Sequence, residues 1–228
     1  MHIELKGDIE MKIDIPVQPR KDTDFPSYVN WYLSNILIPY PLYIITTVDG
    51  NGIPNAQPNS WGLPYGSGNL NMFLFSTWTR HHTPQNVLET KEFVVNIPSR
   101  DVVKQVMKTV EHYPRGVDEI KASGLTSIPS GIVKPPRIAE CKAHLECEYL
   151  WSHTVKISDD VSDIIIAGKI VAASADEDVL YGSAEEKLGA MRTPHITNRS
   201  VYGRDWKAKD PQMCGIISQI RNFWEMSR

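Results

Sequence analysis

At 228 residues, with 41% hydrophobic and 22% charged side chains, the chain has the make-up of a soluble globular protein and the length for one well-filled domain. A formal net charge of −3 gives no general attraction to nucleic acid or to anionic membranes. No apolar run approaches the roughly 20 residues that span a bilayer, and the start, Met1-His2-Ile3-Glu4-Leu5-Lys6, lacks the apolar core of a signal peptide, so a cytoplasmic location is the default.

Residues 1–20 read as an extended arm ended by Pro16 and Pro19. A helix is expected over 24–36, stopped before the core by Pro39 and Pro41. The β-branched run 42–48, the turn Asp49-Gly50-Asn51-Gly52 and an extended segment over 53–63 make a hairpin. A strand over 70–76 follows, then a helix over 84–91 with Thr83 as N-cap and Pro84 in first position, then a strand over 92–97. Helical patterns occupy 101–111 and 118–123, the latter closed by Gly124, and 125–136 is a Pro/Ser/Gly connection. Strands at about 137–150, 152–157 and 162–174, the last two joined by Ser158-Asp159-Asp160, complete the β content. A short helix over 185–191 precedes a tail, 199–228, that carries Tyr202, Trp206, Phe223 and Trp224.

No repeat or long linker divides the chain, which reads as a single domain over 1–228, elaborated by an N-terminal arm (about 1–36) and a C-terminal tail (about 199–228). Closely spaced strands with helices inserted irregularly predict a mainly β fold with α (α+β), an antiparallel barrel decorated with helices. A doubly wound sheet would need regular βαβ units, and neither G-x-G-x-x-G nor G-x-x-x-x-G-K-[ST] occurs.

The three cysteines are too few and too odd in number for a disulfide framework. Cys141, His144 and Cys147 invite a metal reading, but on a strand the two thiols would share a face about 20 Å apart with His144 pointing away. Structural thiols are the better reading, and no metal is expected.

The most informative stretch is Ser76-Thr77-Trp78-Thr79-Arg80-His81-His82-Thr83-Pro84, which sets hydroxyls and a fixed cation ahead of a helix start. A helix N-terminus favours an anion, and a guanidinium offers forked donors that match phosphate oxygens. The plainer alternative is a capped surface helix with a solvated arginine. The strand Ile53-Pro54-Asn55-Ala56-Gln57-Pro58-Asn59-Ser60-Trp61 is too polar and too rich in proline for a buried central strand. It reads either as an exposed edge or as a face for a polar ligand. An isoalloxazine ring needs amide contacts at its pyrimidine edge and an apolar wall at the other end, and Gln57, Asn59, Ser60 and Trp61 can supply both.

The order of these pieces resembles the flavin reductase-like family with an FMN-binding split barrel, in particular its flavoredoxin-like branch. The resemblance is carried by Tyr43-Ile44-Ile45-Thr46-Thr47-Val48-Asp49, Pro54-Asn55, Asn59-Ser60-Trp61, then Arg80, Thr83 and Asn86, and Glu92-Phe93-Val94-Val95-Asn96-Ile97. Lys134-Pro135-Pro136-Arg137-Ile138 and the strand around 141–148 extend it, so it spans about 38–175. It implies one non-covalent FMN per subunit at the interface of a homodimer, with the strand matching Gln57 to Trp61 along the ring. The segment matching Ser76, Thr77, Thr79, Arg80 and Thr83 would hold the phosphate. Where family members carry a small residue, Asp and His ahead of a late strand, this chain reads Trp151-Ser152-His153-Thr154, with serine at the aspartate position. His153 is the candidate catalytic residue beside the flavin or a nicotinamide; a lone strand histidine also fits simple packing. The implied function is an FMN-dependent oxidoreductase passing electrons between NAD(P)H, or a redox protein such as ferredoxin, and an acceptor. The alternatives are a flavin-binding electron carrier without a nicotinamide site and a barrel that binds another anionic small molecule.

Overall fold

The computed structural model describes residues 40–67, 69–196 and 214–216. The helix expected over 24–36 and the aromatic tail residues Tyr202, Trp206, Phe223 and Trp224 lie outside the described residues. The strands are β1 Tyr40–Pro41, β2 Tyr43–Val48, β3 Pro54–Asn59, β4 Gly62–Ser67, β5 Leu70–Trp78, β6 Glu92–Pro98, β7 Ser127–Ile128, β8 Arg137–Ile138, β9 Cys141–Lys156, β10 Ser162–Ala175, β11 Pro194–Ile196 and β12 Cys214–Ile216. The helices are α1 His82–Thr90, α2 Val103–Lys108, α3 Glu119–Ala122, α4 Glu177–Leu180 and α5 Ala184–Met191, with a 3-10 turn at Arg100–Val102. Among the described residues no helix is long and apolar enough to cross a membrane.

Seven strands form one antiparallel sheet in the order β3-β2-β6-β9-β10-β5-β4. Its two edges, β3 and β4, are consecutive in the chain, so the short link Ser60-Trp61 brings the edges together and curls the sheet into a barrel. Between β3 and the end of β5 the barrel is split, and side chains replace the ladder. Asn59 Nδ2 donates to the Ser76 carbonyl at 2.8 Å and Gln57 Nε2 to Thr77 Oγ1 at 2.7 Å. A backbone bond there runs from Ser76 N to the Trp61 carbonyl at 2.9 Å. Tyr43, Ile45, Phe73, Phe75, Val87, Phe93, Val95, Cys147, Ile164 and Ile166 fill the interior. Two edge-to-face ring pairs, Tyr43–Phe73 at 5.1 Å and Phe75–Phe93 at 5.2 Å, anchor that core. Gly168 is required beside it, because a Cβ there would meet the Phe93 ring at 2.4 Å.

The outer side of β2 and β3 buries Leu42, Ile44 and Ala56 against Val102, Val106, Ile120, Leu125, Ile138 and Cys141. This second layer belongs to the helical segments that the sequence sets at 101–111 and 118–123. They fold as the 3-10 turn with α2, and as α3 capped by the Asp118 carboxylate accepting from Lys121 N. Gly124 then takes a positive φ of 77°, as its place after a helix predicts.

Several expectations are corrected. The helix after β5 starts earlier: His81 is its N-cap, and Thr83 lies within its first turn, 1% exposed, with its hydroxyl 2.8 Å from the Asn55 side-chain amide. The break expected near 151 does not exist, since β9 runs unbroken for 16 residues with its irregularities absorbed as bulges. One of them, opposite Ile97 and Pro98, leaves Lys142 as an extra residue. That shift reverses the alternation, so Cys141 packs in the outer layer and Cys147 in the barrel interior, on opposite faces rather than one. β4, α4, β11 and β12 were not expected. In β4, Pro64 and Gly66 hide a strand that exists because it completes the edge beside β5.

Candidate functional site

The seam between β3 and the β5–α1 connection gathers most of the residues singled out from sequence. On β3, residues 54, 56 and 58 turn their backbone N–H side away from β2, and two of the three are proline, so they leave no orphan donor on the open edge. The remaining donor, Ala56 N, is taken by Glu119 Oε2 at 3.1 Å. Asn55, Gln57 and Asn59 alternate with them and point toward the seam. Gln57 Nε2 reaches both Thr77 Oγ1 (2.7 Å) and His81 Nδ1 (2.6 Å), and Thr77 Oγ1 lies 2.9 Å from the same ring nitrogen. The opposite amide atom, Gln57 Oε1, is buried without a hydrogen-bond partner among the described residues. Asn59 is closed on itself locally, its Oδ1 accepting from Trp61 N at 2.9 Å. Ser60 is buried and Trp61 half-buried at the link between the edges.

The phosphate-like segment forms the other wall. Thr79 is tied to β10 through its backbone N (3.0 Å) and hydroxyl (3.1 Å), both donating to the Ser162 carbonyl. The exposed Arg80 guanidinium lies over the Trp78 ring, 4.4 Å from its centre, which holds a cation beside the start of α1. Among the described residues that start carries no side-chain cap hydrogen bond and no acidic residue within its own first turn. Burial, with Arg80, His112 and His82 nearby, brings His81 down to about 4, so its imidazole is neutral and contributes no charge.

Behind the seam lies a buried polar cluster. Asn86 is 2% exposed, its Nδ2 donating to Thr47 Oγ1 at 3.0 Å while its Oδ1 has no partner among the described residues. The Asn55 amide sits among the Thr47 and Thr83 hydroxyls and Glu119. The orientation that satisfies all of them points its nitrogen at the carboxyl oxygens, 3.1 and 3.2 Å away. His82 Nδ1 lies 3.4 Å from Glu119 Oε1. Burial and Arg115 lower His82 while burial raises Glu119 to about 7, so the contact is a hydrogen bond between weakly ionised groups rather than an ion pair. The cavity between these side chains and 114–117 is about 10 Å³, room for one water.

Of the predicted residues, the structure thus joins Gln57 to Thr77 and Asn59 to Ser76, and sets Arg80 at the mouth. Thr83 and Asn86 lie in the buried cluster rather than on the seam's surface. His153 is exposed on β9; it pairs with Ile165, which pairs with Ser76, so it shares the outward face with Ser76 about 10 Å away across one strand. His144 is spent on the Ile138 carbonyl (2.9 Å) and Ser174 (3.2 Å). His81 and Asn55 sat inside stretches quoted from the sequence without being chosen as site residues, and a signal for Glu119 would have required knowing that it packs under β3.

The outward face of the same sheet is apolar. Leu63 (56% exposed), Leu74, Ala167 and Trp151 (44% exposed) lie in one cross-strand row beside the Ser76–Ile165–His153 row.

The flavin reductase like domain matches residues 35–187, and the chain belongs to that family. A relative in Methanothermobacter thermautotrophicus, itself uncharacterised, is 31% identical over 146 residues, covering 63% of this chain and 66% of that protein's length. Component B of nitrilotriacetate monooxygenase from Bacillus cereus superposes with a TM-score of 0.69 at 22% identity, covering 83% of this chain and 92% of that one. Flavoredoxin of Desulfovibrio vulgaris (Miyazaki F) does so with a TM-score of 0.67 at 18% identity, covering 85% and 95%. The split barrel expected from sequence is thus the fold of this chain, and a flavin-related oxidoreductase is the class of protein it defines.

Proposed function

We propose that the chain binds FMN non-covalently and passes electrons through it, taking them from NAD(P)H or from a redox protein such as ferredoxin and giving them to an acceptor. The observation that carries this reading is the pairing, on one seam, of a buried unpartnered acceptor with an uncapped, cation-flanked helix start. Gln57 Oε1 lacks the donor that a buried amide oxygen needs, and the pyrimidine edge of a flavin has an N–H to offer it. Arg80 and the first turn of α1 match a terminal phosphate. That pairing favours FMN over riboflavin, and a terminal phosphate at this locus favours FMN over FAD.

In this reading Gln57, Ser60 and Trp61 orient the ring, and Ser76, Thr77, Thr79 and Arg80 hold the phosphate end. Thr83, Asn86 and Asn59 support these groups from behind. Bound there, the flavin supplies the electron acceptance and release itself. In this reading His153, which lies on the outward face beside Ser76, meets a nicotinamide or a second subunit rather than the buried seam. The apolar row Leu63–Leu74–Ala167–Trp151 next to it supports a homodimer in which a second copy covers the site.

Purified protein tests this directly. The flavin released on denaturation should be FMN, and anaerobic addition of NADH or NADPH should bleach the bound flavin. Release of FAD alone, or no flavin affinity at all, would reject the proposal. Tight FMN binding with bleaching only by a reduced redox protein would select the carrier form over a nicotinamide-dependent reductase.

A further inference from the structure

One carboxyl holds both walls of the seam. Glu119 is 7% exposed, and its Oε2 accepts from Ala56 N, one residue before Gln57. Its Oε1 faces His82 Nδ1 at 3.4 Å, two residues after Arg80 and next to His81. The Asn55 amide nitrogen bridges the two oxygens, and through its own oxygen reaches Thr83 in the first turn of α1. Asp118, directly before Glu119, caps α3 by accepting from Lys121 N, so the carboxyl projects from a hydrogen-bonded turn. Resting on the flavin reading above, we infer that Glu119 is a positioning residue for the flavin site, clamping β3 to the start of α1, and that protonation of this single carboxyl strengthens flavin phosphate binding.

The charge environment explains the direction. The groups facing Glu119 are His82 on α1, Asp49 at the β2–β3 turn, and Arg115, Tyr113 and Asp118 on the approach to α3. Asp118 adds a like charge, Tyr113 is neutral, and Arg115 is exposed and bonded to Gln85. Among the described residues no fixed cation therefore neutralises the carboxylate inside the cluster, and burial raises it into the neutral range. When protonated, Glu119 donates to the neutral His82 ring and still accepts from Ala56 N, so every partner in the clamp is satisfied. When ionised, it places a buried negative charge one residue from the helix start that would receive a phosphate, and opposes that anion.

The test compares wild type with Glu119→Gln, which keeps the shape and one donor but cannot ionise. FMN affinity is measured for both at pH 6 and pH 8, and riboflavin affinity alongside. The phosphate's own titration affects both proteins equally, so the ratio of their affinities isolates the carboxyl. The two should bind FMN equally at pH 6, and the variant about 2- to 5-fold tighter at pH 8, the weight of a unit charge at a helix N-terminus. Riboflavin, without a phosphate, should show a smaller pH-dependent ratio. A constant FMN ratio at both pH values, with flavin bound, would overturn this inference and leave the flavin reading standing. Failure of both proteins to bind any flavin would overturn both. Should Glu119→Gln not fold, Glu119→Asp is expected to fold with a lengthened contact to Ala56 and weaker FMN binding at both pH values; unchanged binding would overturn the clamp.

Discussion

Gln57 Nε2 lies 2.6 Å from His81 Nδ1, a single contact that fastens the edge strand β3 to the turn before α1. An amide nitrogen can only donate, so Nδ1 accepts and the imidazole hydrogen sits on Nε2. The low value of about 4 for His81 agrees, because a ring that accepts a hydrogen bond in a buried place resists protonation. Gln57→Ala removes this fastening together with the unpartnered Oε1. It should destabilise the protein by about 1 kcal/mol and weaken FMN binding by about 2- to 10-fold, the range of one or two neutral hydrogen bonds. Thermal unfolding and flavin titration of the same preparation check both. Lost stability with unchanged affinity would make Gln57 a seam residue only.

Arg80→Ala should weaken FMN binding by about 10- to 150-fold through loss of a charge-assisted contact, while the fold is retained. The guanidinium is exposed and lies over the Trp78 face, so among the described residues its removal leaves no buried polar partner. Riboflavin should bind wild type more weakly than FMN and be nearly indifferent to the substitution. Equal FMN affinity in both proteins would remove Arg80 from the phosphate site.

Much of this arrangement was legible because local chemistry and tertiary role agree. Pro54 and Pro58 marked β3 as an edge, and the structure places both where no ladder donor is required. The turn 49–52 formed as its residues demand, with Asp49 Oδ1 accepting from Asn51 N and Ile53 N, both at 2.9 Å, and Gly52 at a φ of 80°. The polar residues of β3 were legible as unusual but not as seam fasteners, since their partners lie 17 to 28 positions away in sequence. Bulges were the other blind spot. A single extra residue at Lys142 inverts the faces of β9, and no periodicity in 137–150 reveals it. Glu119, read only as part of a short helix, gains its role from the one unpaired donor on an edge strand that is remote in the chain.

Cys141 and Cys147 should be dispensable for electron transfer. Cys141 and Cys147 are buried on opposite faces of β9, and burial pushes both thiols well above their ordinary range, so neither is a thiolate near neutrality. A Cys141→Ala, Cys147→Ala double variant should lose about 1–3 kcal/mol of stability from the small cavities left behind. Any flavin reduction should proceed at close to the wild-type rate. Loss of reduction with the flavin still bound would show that a thiol takes part.

Trp151→Glu tests the second copy. The side chain is exposed on the apolar row, so a charge there costs little in an isolated subunit but would be buried in a dimer. Sedimentation should show dimeric wild type and a monomeric variant, with FMN affinity reduced in the monomer if the partner covers the site. A wild-type monomer at micromolar concentration would contradict the dimer reading.

The last expectation concerns stability and pH. Glu119 is raised in the folded state from 4.5 to about 7, chiefly by burial, with Asp118 adding to the shift and the bond from Ala56 N opposing it. A carboxyl raised on folding binds a proton more tightly in the native state. Its contribution is therefore complete below about pH 4.5 and is lost as pH rises through about 7. Integrated over that interval it amounts to something on the order of 3 kcal/mol. Between pH 5 and pH 8, wild type should lose stability relative to Glu119→Gln, which titrates nowhere in this range; the two curves should meet at pH 5 and separate by pH 8. Because other groups titrate in both proteins alike, the difference between them reads Glu119 alone. Chemical denaturation of the flavin-free proteins at each pH measures it. Parallel curves would mean that the carboxyl is ionised throughout, held so by a counter-charge, and the clamp would then act through that charge rather than through a shared proton.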